Sequence, residues 1–308
     1  MSNQPIHLIG ACSSWGSGYD GPDLAPPRLK DFGLADQLSG ATGRPDIKWR
    51  GMLRHDVSAN GEIITPDVGY EHVLSLSKKL AKIVRRSIFK KDAFPIIIGG
   101  DHATAFGTWA GVAGGMAAHS SLGLLWFDAH LDCHTATTAN QGKWGGQWHG
   151  RPVAHLVDDD GADYDLAHIL SHERVIDPAH LVIFGVRSFE PGEADLVERH
   201  DIRVFYMKEI INRGVADCLD EATGIVNSAP DGFGISLDLD MFDPGDFAAV
   251  GTPEEDGVSY DVFLQAMEKM KLADTLKGLE IVEYNPLKSI NARSDMARIV
   301  KLISTILT

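Results

Sequence analysis

Cysteine is scarce in this chain of 308 residues: Cys12, Cys133 and Cys218 stand far apart and none belongs to a CxxC pair. An odd, scattered set points to neither a disulfide framework nor a thiolate zinc site. Long apolar runs are also missing. No stretch approaches the roughly 18 residues that cross a bilayer, and MSNQPIHLIG lacks the basic start and apolar run of a signal peptide. A cytoplasmic location is therefore expected. Basic charge is in short supply, 28 Lys and Arg against 43 Asp and Glu for a net charge of -15. That balance argues against a nucleic-acid or anionic-membrane surface, both of which need clustered cations. It also leaves acidity that bound cations can neutralise. Repeats and low-complexity linkers are absent. What is plentiful is apolar side chain, 44% of the total, enough for a large core and most simply read as one domain over 1–308.

Short aliphatic runs alternate with longer amphipathic stretches, the pattern of an α/β protein built on a buried, mainly parallel sheet. Strands are expected at 6–10, 94–100, 122–130, 181–187, 202–206, 232–240 and 278–286, and helices at 70–91, 103–115, 208–228, 259–271 and near 292–307. The polar, glycine-rich segment from Thr135 to Gly150 has no helical period, and long loops in compact domains are usually functional.

The unusual residues cluster where apolar runs stop: GGDH at 99–102, WFDAHLDCH at 126–134, SLDLDMFDP at 236–244 and EYNP at 283–286. In an open parallel sheet the carboxyl ends of the strands share one edge, so these four segments are placed to meet in one crevice. Alternate spacing in an extended chain puts Asp128, His130 and Asp132 on one face, and likewise Asp238 and Asp240. Together with His102 they amount to four carboxylates and two imidazoles. Such carboxylates repel one another unless cations intervene. Two divalent metals resolve the conflict, and oxygen-rich coordination without thiolate suits Mn²⁺, with Fe, Co and Ni also compatible. Asp101 is read as a support for a ligand histidine, Asp243 before Pro244 as a turn cap, and Cys133 as buried on the opposite face.

Taken in order, GGDH, DAHLD, SLDLDMFDP and EYNP resemble the motif set of the ureohydrolases, the family of arginase, agmatinase, guanidino-acid hydrolases and formimidoylglutamase. The resemblance runs from IGA at 9–11 nearly to the C-terminus. It implies a three-layer α/β/α sandwich around a mainly parallel sheet, two Mn²⁺ ions and hydrolysis of a guanidino or formimidoyl C–N bond by metal-bridging hydroxide. One metal would be held by His102, Asp128, Asp132 and Asp238, the other by His130, Asp128, Asp238 and Asp240. Glu283 matches the family carboxylate that pairs with a guanidinium, and Thr252 a threonine near it. The resemblance also implies a homo-oligomer, trimer or hexamer.

Finer marks lean toward arginase, L-arginine and water to L-ornithine and urea. HGRP at 149–152 is similar to the arginase segment whose histidine moves a proton, here His149. In FGVRSFEPGE, Glu190 aligns with an aspartate that recognises an α-amino group. Two departures stand out: His134 replaces an asparagine that contacts the α-carboxylate, and the loop to His149 is several residues longer. His134, Thr135, Asn140, Gln141 and Arg151 are the candidate donors to that carboxylate. Trp144 and Trp148 line the pocket or a subunit contact, or pack beneath the loop. The alternatives are another ureohydrolase, a deacetylase-like metal amidohydrolase and a non-catalytic metal-binding scaffold.

Overall fold

The computed structural model describes residues 4–55, 66–115, 121–139, 147–170, 174–270, 272 and 275–308. Eight strands form one sheet: β1 Ile6–Cys12, β2 Ile47–Arg54, β3 Phe94–Ile98, β4 Leu122–Phe127, β5 Ile176–Val186, β6 Arg203–Tyr206, β7 Phe233–Asp238 and β8 Leu276–Val282. Their order is β2-β1-β3-β8-β7-β4-β5-β6, and every paired neighbour runs parallel. A parallel sheet must be covered on both faces, which is why its strands are apolar throughout rather than alternating. Within β4, Leu125 and Phe127 enter one core, while Leu124 and Trp126 enter the other. Helices Leu34–Thr42, Val215–Asn227, Tyr260–Met267 and Ala292–Leu307 cover the first face with residues such as Leu38, Leu219, Phe263 and Ile303. The second is covered by Pro66–Lys91, Ala105–Gly114 and Pro191–Arg199 through Leu80, Trp109 and Leu196. The expected three-layer α/β/α sandwich is the observed architecture.

All seven expected strands are present; β4, β7 and β8 end earlier than expected where the chain leaves the sheet, while β1 runs on to Cys12 and β5 begins at Ile176. The eighth, β2, lies at the edge, and its burial is mostly partial, so IKWRGMLR carries too little apolar signal to stand out. The helix expected over 208–228 is two, Met207–Arg213 and Val215–Asn227, broken at Gly214, whose φ of 92° no helix accommodates. Among the described residues, no helix is long and apolar enough to cross a membrane.

The order of the four central strands matters most for function. β3, β8, β7 and β4 are consecutive neighbours, and their carboxyl ends deliver GGDH, EYNP, the end of SLDLD and DAHLD respectively. The motifs far apart in sequence are thus side by side in space.

Candidate active site

At the end of β3 the chain turns so tightly past β1 that a Cβ on Gly100 would sit 1.9 Å from the Ser13 carbonyl oxygen; glycine is required there. Asp101 then accepts hydrogen bonds from the Gly16 and Ala103 backbone amides, at 2.8 and 3.1 Å. It braces the turn that carries His102 and is not the hydrogen-bond partner of the His102 ring. Its support of the ligand histidine runs through the backbone.

The convergence of the aspartates is as expected, but its cause differs. β4 stops at Phe127, and Asp132 adopts a left-handed φ of 48°. The segment therefore curls into a bend, in which the His130 amide donates to Asp128 Oδ1 at 2.7 Å. β7 likewise stops at Asp238, whose carboxylate accepts from the Asp240 amide at 2.8 Å at the start of a short 3-10 turn. Strand alternation continues through neither pair.

His102 Nδ1 is 3.1, 3.0 and 3.3 Å from oxygens of Asp128, Asp132 and Asp238. His130 Nδ1 lies 3.2 Å from Asp128 and 3.2 Å from Asp240. Two sets, His102 with Asp128 and Asp238, and Asp128 with His130 and Asp240, each bring one ligand atom per residue within 4.8 Å of the others. Asp128 belongs to both. His102 Nδ1 is buried yet aligned for a hydrogen bond with none of the surrounding oxygens, an orphan that a cation would satisfy. Burial pushes Asp132 up to about 7, reinforced by the charge of Asp128. Burial and the neighbouring Asp240 and Asp128 charges drive Asp238 upward as well. Oxygen donors, one imidazole per set, no thiolate and carboxylates in mutual conflict fit a pair of divalent cations.

A cavity opens above these residues, walled by His130, Asp132, His134, His149, Glu190 and Thr252 among others. Thr252 donates its hydroxyl to Asp240 at 3.1 Å, so its direct partner is a member of the metal-capable set, not Glu283. Glu190 sits at the N-terminus of helix Pro191–Arg199 in a reciprocal capping box with Glu193. Its Oε2 is 3.0 Å from His134 Nε2, and Glu193 Oε2 is 3.4 Å away. His134 therefore faces two carboxylates.

Glu283 is fully buried at a left-handed φ of 64° and lies behind the cavity wall. It accepts the Tyr19 hydroxyl at 2.6 Å and the His102 amide at 2.9 Å, and its Oε1 is 3.4 Å from His149 Nδ1. The other ring nitrogen of His149 is 2.6 Å from Gln147 Oε1. Burial opposes a charge on His149, but the hydrogen bond and charge of Glu283 overcome it and raise its pKa.

Asn140, Gln141 and Trp144 lie outside the described residues. Trp148 packs against Tyr70, with the Arg151 guanidinium 4.2 Å from its ring centre. Thr135 pairs its hydroxyl with Thr137 at 3.0 Å. Cys133 is buried, and Asp243 caps its turn by accepting from the Gly245 amide at 2.8 Å. Tyr19, Gln147, Ser188, Glu193, Glu254, Ser236 and Glu280 also surround the site and were not singled out from sequence. Glu280, a charge inside the apolar strand GLEIV, was a readable signal.

A family model described as the arginase family matches residues 4–308. The arginase of Bacillus subtilis is 33% identical over 289 residues, covering 92% of each chain. The crystal structure of Bacillus subtilis arginase matches with a TM-score of 0.86 at 30% identity, over 99% of this chain and 98% of that one. The Entamoeba histolytica arginase crystallised with L-ornithine matches with a TM-score of 0.84 at 26% identity, over 100% and 99%. With two metal-capable sets that share Asp128 at the ends of central strands and a match along nearly its whole length, the chain belongs to the arginase family.

Proposed function

We propose that this chain is a dinuclear manganese arginase that hydrolyses L-arginine to L-ornithine and urea. The observation that carries the reading is the pair of metal-capable sets sharing Asp128 beneath a cavity rich in carboxylates. His102, Asp128, Asp132 and Asp238 would hold one cation, and His130, Asp128, Asp238 and Asp240 the other. Bound there, the two cations neutralise the carboxylates and allow water to ionise near neutral pH.

The chain's own residues supply the remainder. A cationic guanidinium is drawn to the acidic cavity. Both His149 nitrogens face acceptors, Glu283 Oε1 and Gln147 Oε1, which favours the imidazolium. A protonated His149 on the wall is suited to deliver a proton to the departing amine. Glu283 holds that proton donor in place, and its carboxylate is the group we assign to pair with the guanidinium. Glu190 and His134, which line the same cavity, are assigned to the α-amino and α-carboxylate groups, with Thr252 steadying Asp240. The L-ornithine in the Entamoeba histolytica structure matches the product this scheme requires. Manganese is the cation that the donor set suits, a trimer or hexamer follows the resemblance to ureohydrolases, and three unpaired buried cysteines agree with a cytoplasmic location.

One observation keeps a second substrate in play. Glu190 is already engaged by His134, a pairing that redefines the far end of the cavity and admits agmatine or another guanidino acid as the alternative. Purified, Mn²⁺-loaded protein offered arginine, agmatine and 4-guanidinobutyrate side by side separates them through urea release. Preference for arginine is expected, and turnover of another substrate with none of arginine would overturn the arginase assignment.

A further inference from the structure

Each imidazole of the candidate metal centre has a second ring nitrogen directed away from the aspartates; that of His102 leads to a carboxylate through a serine, and that of His130 faces one directly. His102 Nε2 lies 3.0 Å from Ser236 Oγ. Ser236 in turn donates to Glu280 Oε2 at 2.9 Å. Ser236 and Glu280 are register partners on β7 and β8, so the sheet itself sets the contact. Glu280 is fully buried, and its other oxygen accepts from Thr108 at 2.5 Å and lies 3.1 Å from the Thr104 hydroxyl. With a cation on Nδ1, the ring proton must sit on Nε2. Ser236 is then the acceptor of that proton's hydrogen bond and passes its own hydroxyl proton toward Glu280.

The other half is arranged in the open. His130 Nε2 is 3.7 Å from Glu254 Oε1, with 24% and 39% of the two side chains exposed. That is ion-pair distance rather than a hydrogen bond. Glu254 is nonetheless held in place: its backbone oxygen accepts from Arg187 Nη2 at 2.8 Å, and Glu255 O accepts from Arg187 Nε at 2.9 Å. The Ser188 hydroxyl donates to its carboxylate.

We infer that Glu280 and Glu254 are the positioning carboxylates of the two halves, Glu280 acting on His102 through Ser236 and Glu254 acting directly on His130. The inference rests on the dinuclear reading above, and adds that the two cations can be loosened one at a time from behind. A carboxylate at the rear of an imidazole fixes its tautomer and strengthens its donor nitrogen, and loss of such a partner typically lowers metal affinity about 10- to 100-fold.

The test is stepwise Mn²⁺ binding to the full-length chain, followed by calorimetry and by the electron paramagnetic resonance signal of free Mn²⁺, with His102→Ala and His130→Ala marking which step belongs to which half. Glu280→Gln and Ser236→Ala are expected to weaken the His102 step about 10- to 100-fold and spare the other, and Glu254→Gln to do the reverse. Because Glu280 and Ser236 act in series, the double variant should lose no more than the worse single one. Ser236→Ala and the exposed Glu254→Gln keep the question answerable if Glu280→Gln does not fold. Variants that leave both steps unchanged, or weaken both equally, overturn the inference while the dinuclear reading stands. A wild-type chain that binds no second Mn²⁺ overturns both.

Discussion

The two metal-capable sets that share Asp128 are built from similar residues but in different surroundings. Around His102 the side chains are buried: the ring stacks on Trp126 at 4.0 Å between centres, and Asp128, Asp132 and Asp238 close around it. Around His130 the ring is part of the cavity wall. The first half is therefore packed against the sheet and reaches the cavity through Asp132 and Asp238, whereas the second presents its imidazole to the cavity as well. The difference teaches that a site can be anchored on the sheet and still expose one edge for chemistry.

Removing what the halves share should break the comparison most severely. Asp128→Ala is expected to abolish urea release and both metal-binding steps, while Asp240→Ala costs chiefly the His130 side; metal analysis of the purified variants distinguishes them. Retention of two cations by Asp128→Ala would count against its place in both sets.

Next come the groups that span the halves without belonging to the ligand sets. Glu283 touches the His102 amide on one side and His149 on the other. His149→Asn is expected to slow turnover roughly 10²-fold with both cations retained. Glu283→Gln should do similar damage and also lower the His149 pKa, since Glu283 is what raises it. The limb of the pH–rate profile that reports loss of the His149 proton should then move to lower pH, and an unmoved limb would argue for a different acid.

A milder change sharpens the outer half. Glu190→Gln is expected to raise KM for arginine about tenfold, the scale of one lost charge-assisted contact, with kcat little altered. Loss in kcat alone would contradict a binding role.

The smallest effect concerns stability. Asp132 and Asp238 have raised pKa values in the metal-free fold. An acid whose folded pKa exceeds its unfolded one favours folding least after both states have ionised, so its contribution is lost as pH rises from the unfolded pKa, near 3.8, through the folded one. For Asp132 that window closes near 7. Chelated protein should thus lose melting temperature as pH is raised from about 4 to 7, and Mn²⁺-loaded protein should lose much less. A flat profile for the chelated form would mean the carboxylates do not repel as the geometry indicates.

Much of this was legible in the sequence because buried parallel strands write themselves as apolar runs and their ends stand out by contrast. The seven apolar runs, the sandwich and the convergence of GGDH, DAHLD, SLDLD and EYNP could be read that way. The edge strand β2 could not, since it is mostly half-exposed and carries Lys48, Arg50 and Arg54. Alternation put Asp128, His130 and Asp132 together for the wrong reason, because backbone bends are invisible to a period-two pattern. Tyr19 and Glu254 were missed because each reaches the site from a loop, where no periodicity marks a side chain's direction. The location of Glu283 behind His149, away from the open wall, was equally beyond a motif.

Asp132 and Glu283 share one more property, a left-handed backbone at residues that are not glycine. Aspartate tolerates this conformation moderately and glutamate poorly, and each such residue costs on the order of 1 kcal/mol or more. Selection for heat resistance alone would therefore favour glycine at 283 and asparagine or glycine at 132, yielding sturdier molecules that no longer turn over. At 283 the strain goes with the carboxylate assigned to the chemistry, whereas at 132 aspartate adopts the same conformation as Asp92, Asp158, Asp201 and Asp256, which lie outside the site.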